Sequence, residues 1–164
     1  MPLPISITMK SIILKVGGSL VNGTINPIRL NEVIEYEELI HEAFNGTSLK
    51  AGRIVQIVFW IKPGKTFVTY DIINKNNKYV NIEDSLSPPS VQRREINFQT
   101  LFELNQPVDI EIAGVKRPSV IVSINIYWND EGMEVSYGVT DRTDTTYFGV
   151  REELLVKWNP AYAR

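Results

Sequence analysis

The sequence predicts a mainly β protein with one helix, an α+β chain, on three observations. β-Branched and aromatic runs recur between Gly, Pro and Asn turns, a single segment has apolar residues at helical spacing, and a Ser-Pro stretch divides the chain near its middle.

Residues 5–16 are rich in Ile and Val and partly alternating, which reads as a strand closed by Gly17-Gly18, with Pro2 and Pro4 making its leading end an extended arm. After the turn-rich Asn22-Gly23-Thr24, residues 31–44 place Val33, Tyr36, Ile40, Ala43 and Phe44 on one helical face. Asn31 as N-cap, Glu32 at the positive helix end and Asn45-Gly46 as a stop complete the one predicted helix. From Gly52 the period changes. Residues 54–61 and 66–73 form a hairpin about Lys62-Pro63-Gly64-Lys65, and residues 79–82 add a short strand after a polar turn. Ser85-Leu86-Ser87-Pro88-Pro89-Ser90 is the linker, because prolines cannot join a central strand. It separates a β-rich unit with the helix, residues 1–87, from a second unit, residues 91–164. In that unit residues 96–104 fit either a short helix or a strand. Residues 108–112, 120–128, 133–140 and 145–150 follow as β runs, the density expected of a small barrel or sandwich.

The two units echo one another. Val68-Thr69-Tyr70-Asp71-Ile72, then Tyr79, Ile82, Asp84 and Leu86, parallels Val135-Ser136-Tyr137-Gly138-Val139, then Tyr147, Val150, Glu152 and Leu154. Upstream, residues 52–57 are set against residues 107–112. The repeat unit would be a curled antiparallel meander whose last strand ends in an acidic residue and a buried Leu, so Leu154 is expected in the core.

In the second unit FELNQPVDIEIAG, VIVSINIYW, VSYGVTD and TTYFGVREELL, spanning residues 102–157, resemble the small SH3-like barrels of the Tudor and KOW type found in small bacteriophage and bacterial proteins. That resemblance implies an SH3-like barrel at residues 91–164. Barrels of this kind often hold methylated cations or Pro-rich segments on loop aromatics, for which Tyr127, Trp128, Tyr137, Tyr147, Phe148 and Trp158 are the candidates here. Adjacent Tyr127 and Trp128 point to opposite faces of a strand, so one is expected in the core.

Composition narrows the function. The net charge is -2 with Lys and Arg scattered, so no nucleic-acid partner is expected. The densest basic spot, Arg93-Arg94, is followed at once by Glu95 and reads as a solvated loop. Cysteine is absent, which excludes disulfides, thiolate metal sites and a cysteine nucleophile. No apolar run reaches the ~20 residues of a membrane helix, and no secretory signal is read at the start, so a soluble protein is expected.

The chemistry-bearing strings are few. Ile13-Leu14-Lys15-Val16-Gly17-Gly18-Ser19-Leu20 resembles the first strand and glycine turn of amino-acid kinases, whose backbone amides contact phosphate, but it equally describes a strand ending in a tight turn. His41 is the single histidine and is expected on the helix surface beside Glu38 and Glu42. Asp141-Arg142-Thr143-Asp144 has oxygen ligands for a hard cation, yet both acids are ordinary turn formers. No cofactor or metal is therefore assigned. The expected function is structural: an assembly protein without catalysis, in the setting of a bacteriophage virion as a neck, ring or capsid-associated component, and cytoplasmic otherwise. Its partners would be other protein subunits in an oligomeric assembly, met through Pro2, Leu3, Pro4, Trp128, Trp158 and Tyr162. A monomeric adaptor binding a peptide or modified side chain through the barrel aromatics and a degenerate phosphate-handling enzyme based on residues 15–19 are the alternatives.

Overall fold

The computed structural model describes residues 11–14, 21–39, 47–84 and 92–157. In chain order the strands are β1 (Ser11–Leu14), β2 (Val21–Ile25), β3 (Val33–Leu39), β4 (Thr47–Lys62), β5 (Lys65–Asn74) and β6 (Tyr79–Glu83). They continue as β7 (Ile96–Thr100), β8 (Pro107–Ile112), β9 (Val115–Asn129), β10 (Gly132–Asp141), β11 (Thr146–Arg151) and β12 (Leu155–Lys157), with a 3-10 turn, Glu152–Leu154, before the last. A nine-stranded antiparallel sheet has the order β11-β10-β9-β4-β5-β6, with β3 added on β4 and β8 lying between β9 and β12. A smaller sheet has the order β1-β2-β7.

Among the described residues there is no α-helix, and the segment expected to be one is β3. Ile34 and Tyr36 are 1% and 4% exposed while Val33 is 62% exposed, a period of two. Pairing along its whole length, from Val33↔Arg53 to Leu39↔Thr47, overrides the helical preference of its glutamates. The remainder of the expected helix, including His41, lies outside the described residues, as do residues 85–91 and the glycine string at 15–20. Asn31, expected as an N-cap, instead takes a left-handed turn into the strand (φ 70°).

Strands β3 to β6 and β8 to β11 repeat one plan, residue by residue. Both long strands, β4 and β9, carry one extra residue at the same place: Ile54 faces Ile72 and Gln56 faces Asp71, leaving Val55 bulged, and Ile121 faces Val139 and Ser123 faces Gly138, leaving Val122 bulged. Tyr70 faces Ile57 and Ile82, as Tyr137 faces Ile124 and Val150. The loop before each unit also repeats. Asn31 donates to Ile54 O at 2.9 Å and Asn105 to Ile121 O at 2.8 Å, both from left-handed backbone, φ 70° and φ 65°. This register corrects the upstream alignment read from sequence: the counterpart of Pro107–Ile112 lies in β3, and residues 52–57 match residues 119–124.

Each bulge bends its strand and divides it between two neighbours. Before the bulge β4 pairs with β3, and after it with β9 through Ile57↔Trp128 to Ile61↔Ile124. Because Ile57 corresponds to Ile124 and Ile61 to Trp128, this pairing maps onto itself when the repeats are exchanged. An approximate two-fold axis therefore passes at Phe59↔Ile126. Strands from both sides of the Ser-Pro stretch thus share one sheet. The small sheet covers the seam from inside, where Phe98 of β7 meets Phe59 edge-on at 5.1 Å. A single hydrophobic cluster joins Ile34, Tyr36, Ile57 and Phe59 to Val108, Ile110, Ile124 and Tyr137.

The second repeat closes on itself, because β12 returns to β8 with Leu155↔Ile110 and Lys157↔Val108. Leu155 is 6% exposed and supplies the buried leucine, whereas Leu154 is 48% exposed. The expectation that Leu154 is the core residue is off by one position, since the 3-10 turn advances the chain before β12 begins.

Candidate interaction surface

Each repeat is pinned by a buried tyrosine–carboxylate pair. The Tyr70 hydroxyl donates to Asp84 and accepts the Ile28 amide at 2.8 Å; Asp84 is 1% exposed and paired with Arg93 at 3.1 Å. Arg93 also reaches the Asn26 carbonyl at 3.0 Å, so this residue of the supposed solvated loop is a partly buried ion-pair partner. In the second repeat the Tyr137 hydroxyl donates to Glu152 at 2.5 Å. Burial, reinforced by the neighbouring carboxylates, pushes both phenols well above the ordinary tyrosine range. Both stay protonated as hydrogen-bond donors, which suits locking the last strand of each meander.

The turn at residues 141–144 is likewise structural. Asp141 Oδ1 accepts from the Thr143 amide and hydroxyl (2.8 and 2.6 Å) and from the Thr145 amide (3.1 Å), while Oδ2 accepts from the Tyr147 hydroxyl (3.1 Å). The Thr143 hydroxyl bond leads the set that holds its carboxyl below the usual range. Among the described residues no group of three His, Asp or Glu side chains could hold a metal.

What remains for recognition is the outer sheet face. Across β3, β4, β5 and β6 the register sets Val33, Arg53, Ile73 and Tyr79 in one row. Neighbouring strands are ~4.8 Å apart, so the row spans ~15 Å. Val33, Leu49 and Tyr79 are 62%, 63% and 68% exposed. The matching row of the second repeat is Pro107, Val120, Thr140 and Thr146; Tyr147 instead faces Val139 on the buried side, where Asp141 holds its hydroxyl. Further along the same face Trp60 stacks on Phe67 (5.7 Å, 5° between planes), with Lys62 and Lys65 over the rings.

Of the residues expected at interfaces, Trp128 alone is described. It sits on β9 opposite Ile57 and Met133, is 9% exposed, and borders an open groove of about 710 Å³ with Leu30, Arg29 and Arg94. Pro2, Leu3, Pro4, Trp158 and Tyr162 lie outside the described residues. The barrel aromatics do not share one surface: Tyr137 is 1% exposed in the core and Phe148 is 77% exposed. Sequence reasoning missed the Val33–Tyr79 row because the helix assignment removed β3 from the sheet. Among the described residues no helix is long and apolar enough to cross a membrane. Comparison with protein-family models, curated proteins and solved structures finds no match to this chain.

Proposed function

We propose that the chain is a non-enzymatic assembly protein, a tandem of SH3-like barrels that holds other protein subunits through its outer sheet face, in the setting of a bacteriophage virion. The observation that carries this reading is the exposed apolar row of the first repeat, Val33, Ile73 and Tyr79 flanked by Leu49, around the cation of Arg53. Contiguous exposed apolar surface rimmed by charge is the mark of a protein-binding face, and Tyr and Arg are the residues that most often dominate such contacts. The path β8-β9-β10-β11, 3-10 turn, β12 back onto β8 supports the SH3-like description. The resemblance over residues 102–157 supports the virion setting.

The test replaces Tyr79→Ser together with Leu49→Ser and compares hydrodynamic mass and co-purifying proteins with wild type. Both side chains are exposed, so the melting temperature should hold while association falls. Association unchanged in the double variant would refute this face as the binding surface.

A further inference from the structure

The two repeats differ most at one sheet edge. Ile121 donates to Gln106 O at 3.1 Å, so in the alternating antiparallel ladder Gln106 bonds inward to β9, while Pro107, Asp109 and Glu111 turn backbone groups outward. Asp109 there faces Val156 of β12. In the first repeat Ile54 donates to Glu32 O at 2.9 Å, which turns the backbone groups of Val33, Glu35 and Glu37 outward in the same way. No strand among the described residues pairs with that edge.

The chain's own counterpart of β12 cannot build the same ladder. With Asp84 matched to Glu152, Ser87, Pro88 and Pro89 fall where Leu155, Val156 and Lys157 stand. Pro88 has no amide to give Glu35, and Ser87 replaces a leucine that is 6% exposed. An extended segment from elsewhere must provide both the amides and the apolar side chain if the edge is to be covered as β8 is.

We infer that the outer edge of β3 takes up residues 4–8, Pro4-Ile5-Ser6-Ile7-Thr8, of a neighbouring copy of this chain. The inference rests on the assembly reading above. Ile5 and Ile7 alternate with Ser6 and Thr8, the pattern of a strand with one face buried, so the isoleucines can fill the place that Leu155 fills on β8. Pro4 ends the ladder, and Lys10 follows beside an edge where Glu35 and Glu37 are exposed. These residues precede β1 in sequence, and β1 is itself an edge strand of the small sheet. The contact is head-to-tail: each copy offers one arm and one edge.

Sedimentation velocity on the full chain tests this with two variants. Glu35→Pro removes an outward amide that β4 does not use, and Ile5→Glu/Ile7→Glu spoils the arm; each alone should sediment as a monomer at concentrations where wild type associates. Mixed together, the arm variant's intact edge and the edge variant's intact arm should form a dimer and nothing larger. Should Glu35→Pro fail to fold, Ser87→Leu/Pro88→Val/Pro89→Lys serves instead, since it fills the edge from within and should also be monomeric. A mixture that stays monomeric, or either variant associating as wild type does, overturns the inference while leaving assembly through the outer face standing. A wild type that stays monomeric yet captures other subunits also overturns it, and one that associates with nothing overturns both.

Discussion

Tyr70→Phe deletes one oxygen from the centre of the first repeat. That hydroxyl donates to Asp84 and accepts the Ile28 amide at 2.8 Å, and Tyr70 and Asp84 are 0% and 1% exposed. A bond to a charged group contributes ~1.5–3 kcal/mol, and leaving a buried amide unmet costs ~1–3 kcal/mol more, so a total of about 3–5 kcal/mol is expected. Water cannot replace the lost oxygen without opening the core. In the second repeat Glu152 is only partly buried, so solvent can take over its bond and Tyr137→Phe should cost about 1–2 kcal/mol. Urea unfolding of both variants, with unchanged m-values, measures the difference. Tyr70→Phe costing under ~1 kcal/mol, or less than Tyr137→Phe, would refute the assignment of the Tyr70–Asp84 pair as the lock of its meander.

Three further outcomes follow from the same geometry. Leu155→Ala should destabilise by about 2–5 kcal/mol while Leu154→Ala stays within about 1 kcal/mol, which thermal or chemical melting separates at once. Alkaline titration should show a loss of stability above pH ~10: both phenols titrate higher when folded than unfolded, so their contribution is complete below the unfolded value and falls by ~1.4 kcal/mol per pH unit per tyrosine above it, a slope that Tyr70→Phe/Tyr137→Phe should flatten. Gly52→Ala should cost about 1–3 kcal/mol in unfolding experiments, since a Cβ there would press on the Ile72 side chain and lie 2.9 Å from the Ile73 carbonyl oxygen.

Most of the strands were legible because their signals are local. Lys62-Pro63-Gly64-Lys65 fixed the β4–β5 hairpin. The echo of Tyr70, Ile82 and Asp84 in Tyr137, Val150 and Glu152 was legible too, and it marks the residues that meet in space. What misled was β3. Val33, Tyr36 and Ile40 fit a helical face by spacing, yet the decisive contacts are non-local pairings with Arg53, Gly52 and Lys50 that no window of sequence contains. With β3 misread, its counterpart of residues 107–112 disappeared, the repeat was aligned one strand too late, and the edge that distinguishes the two copies could not be seen. Arg93 was misjudged for a similar reason: its carboxylate partner lies on another strand's end, and proximity of Glu95 in sequence concealed it.

A fold built twice locates recognition in the differences between its copies, and one bulge accounts for the exposed tyrosine. Asn74 and Asp141 hold matching turns: Asn74 Oδ1 accepts from the Asn76 and Lys78 amides at 2.9 and 3.1 Å, as Asp141 Oδ1 does from Thr143 and Thr145. A carboxylate has a second acceptor, and Asp141 spends it on Tyr147; the amide has a donor instead, and Asn74 Nδ2 turns to the Tyr36 hydroxyl at 3.2 Å. Asp141 can reach Tyr147 because a bulge between Tyr137 and Val139 sets Tyr147 opposite Val139, on the face of Asp141. Without that bulge β6 sets Tyr79 opposite Ile73, on the face away from Asn74, where it stands 68% exposed. Asn74→Asp should therefore leave association unchanged, at a small cost in the long Tyr36 bond, whereas Tyr79→Ser should weaken association several-fold, which sedimentation equilibrium can read directly. An equal loss from Asn74→Asp would show that charge at the turn, and not the position of Tyr79, governs the surface.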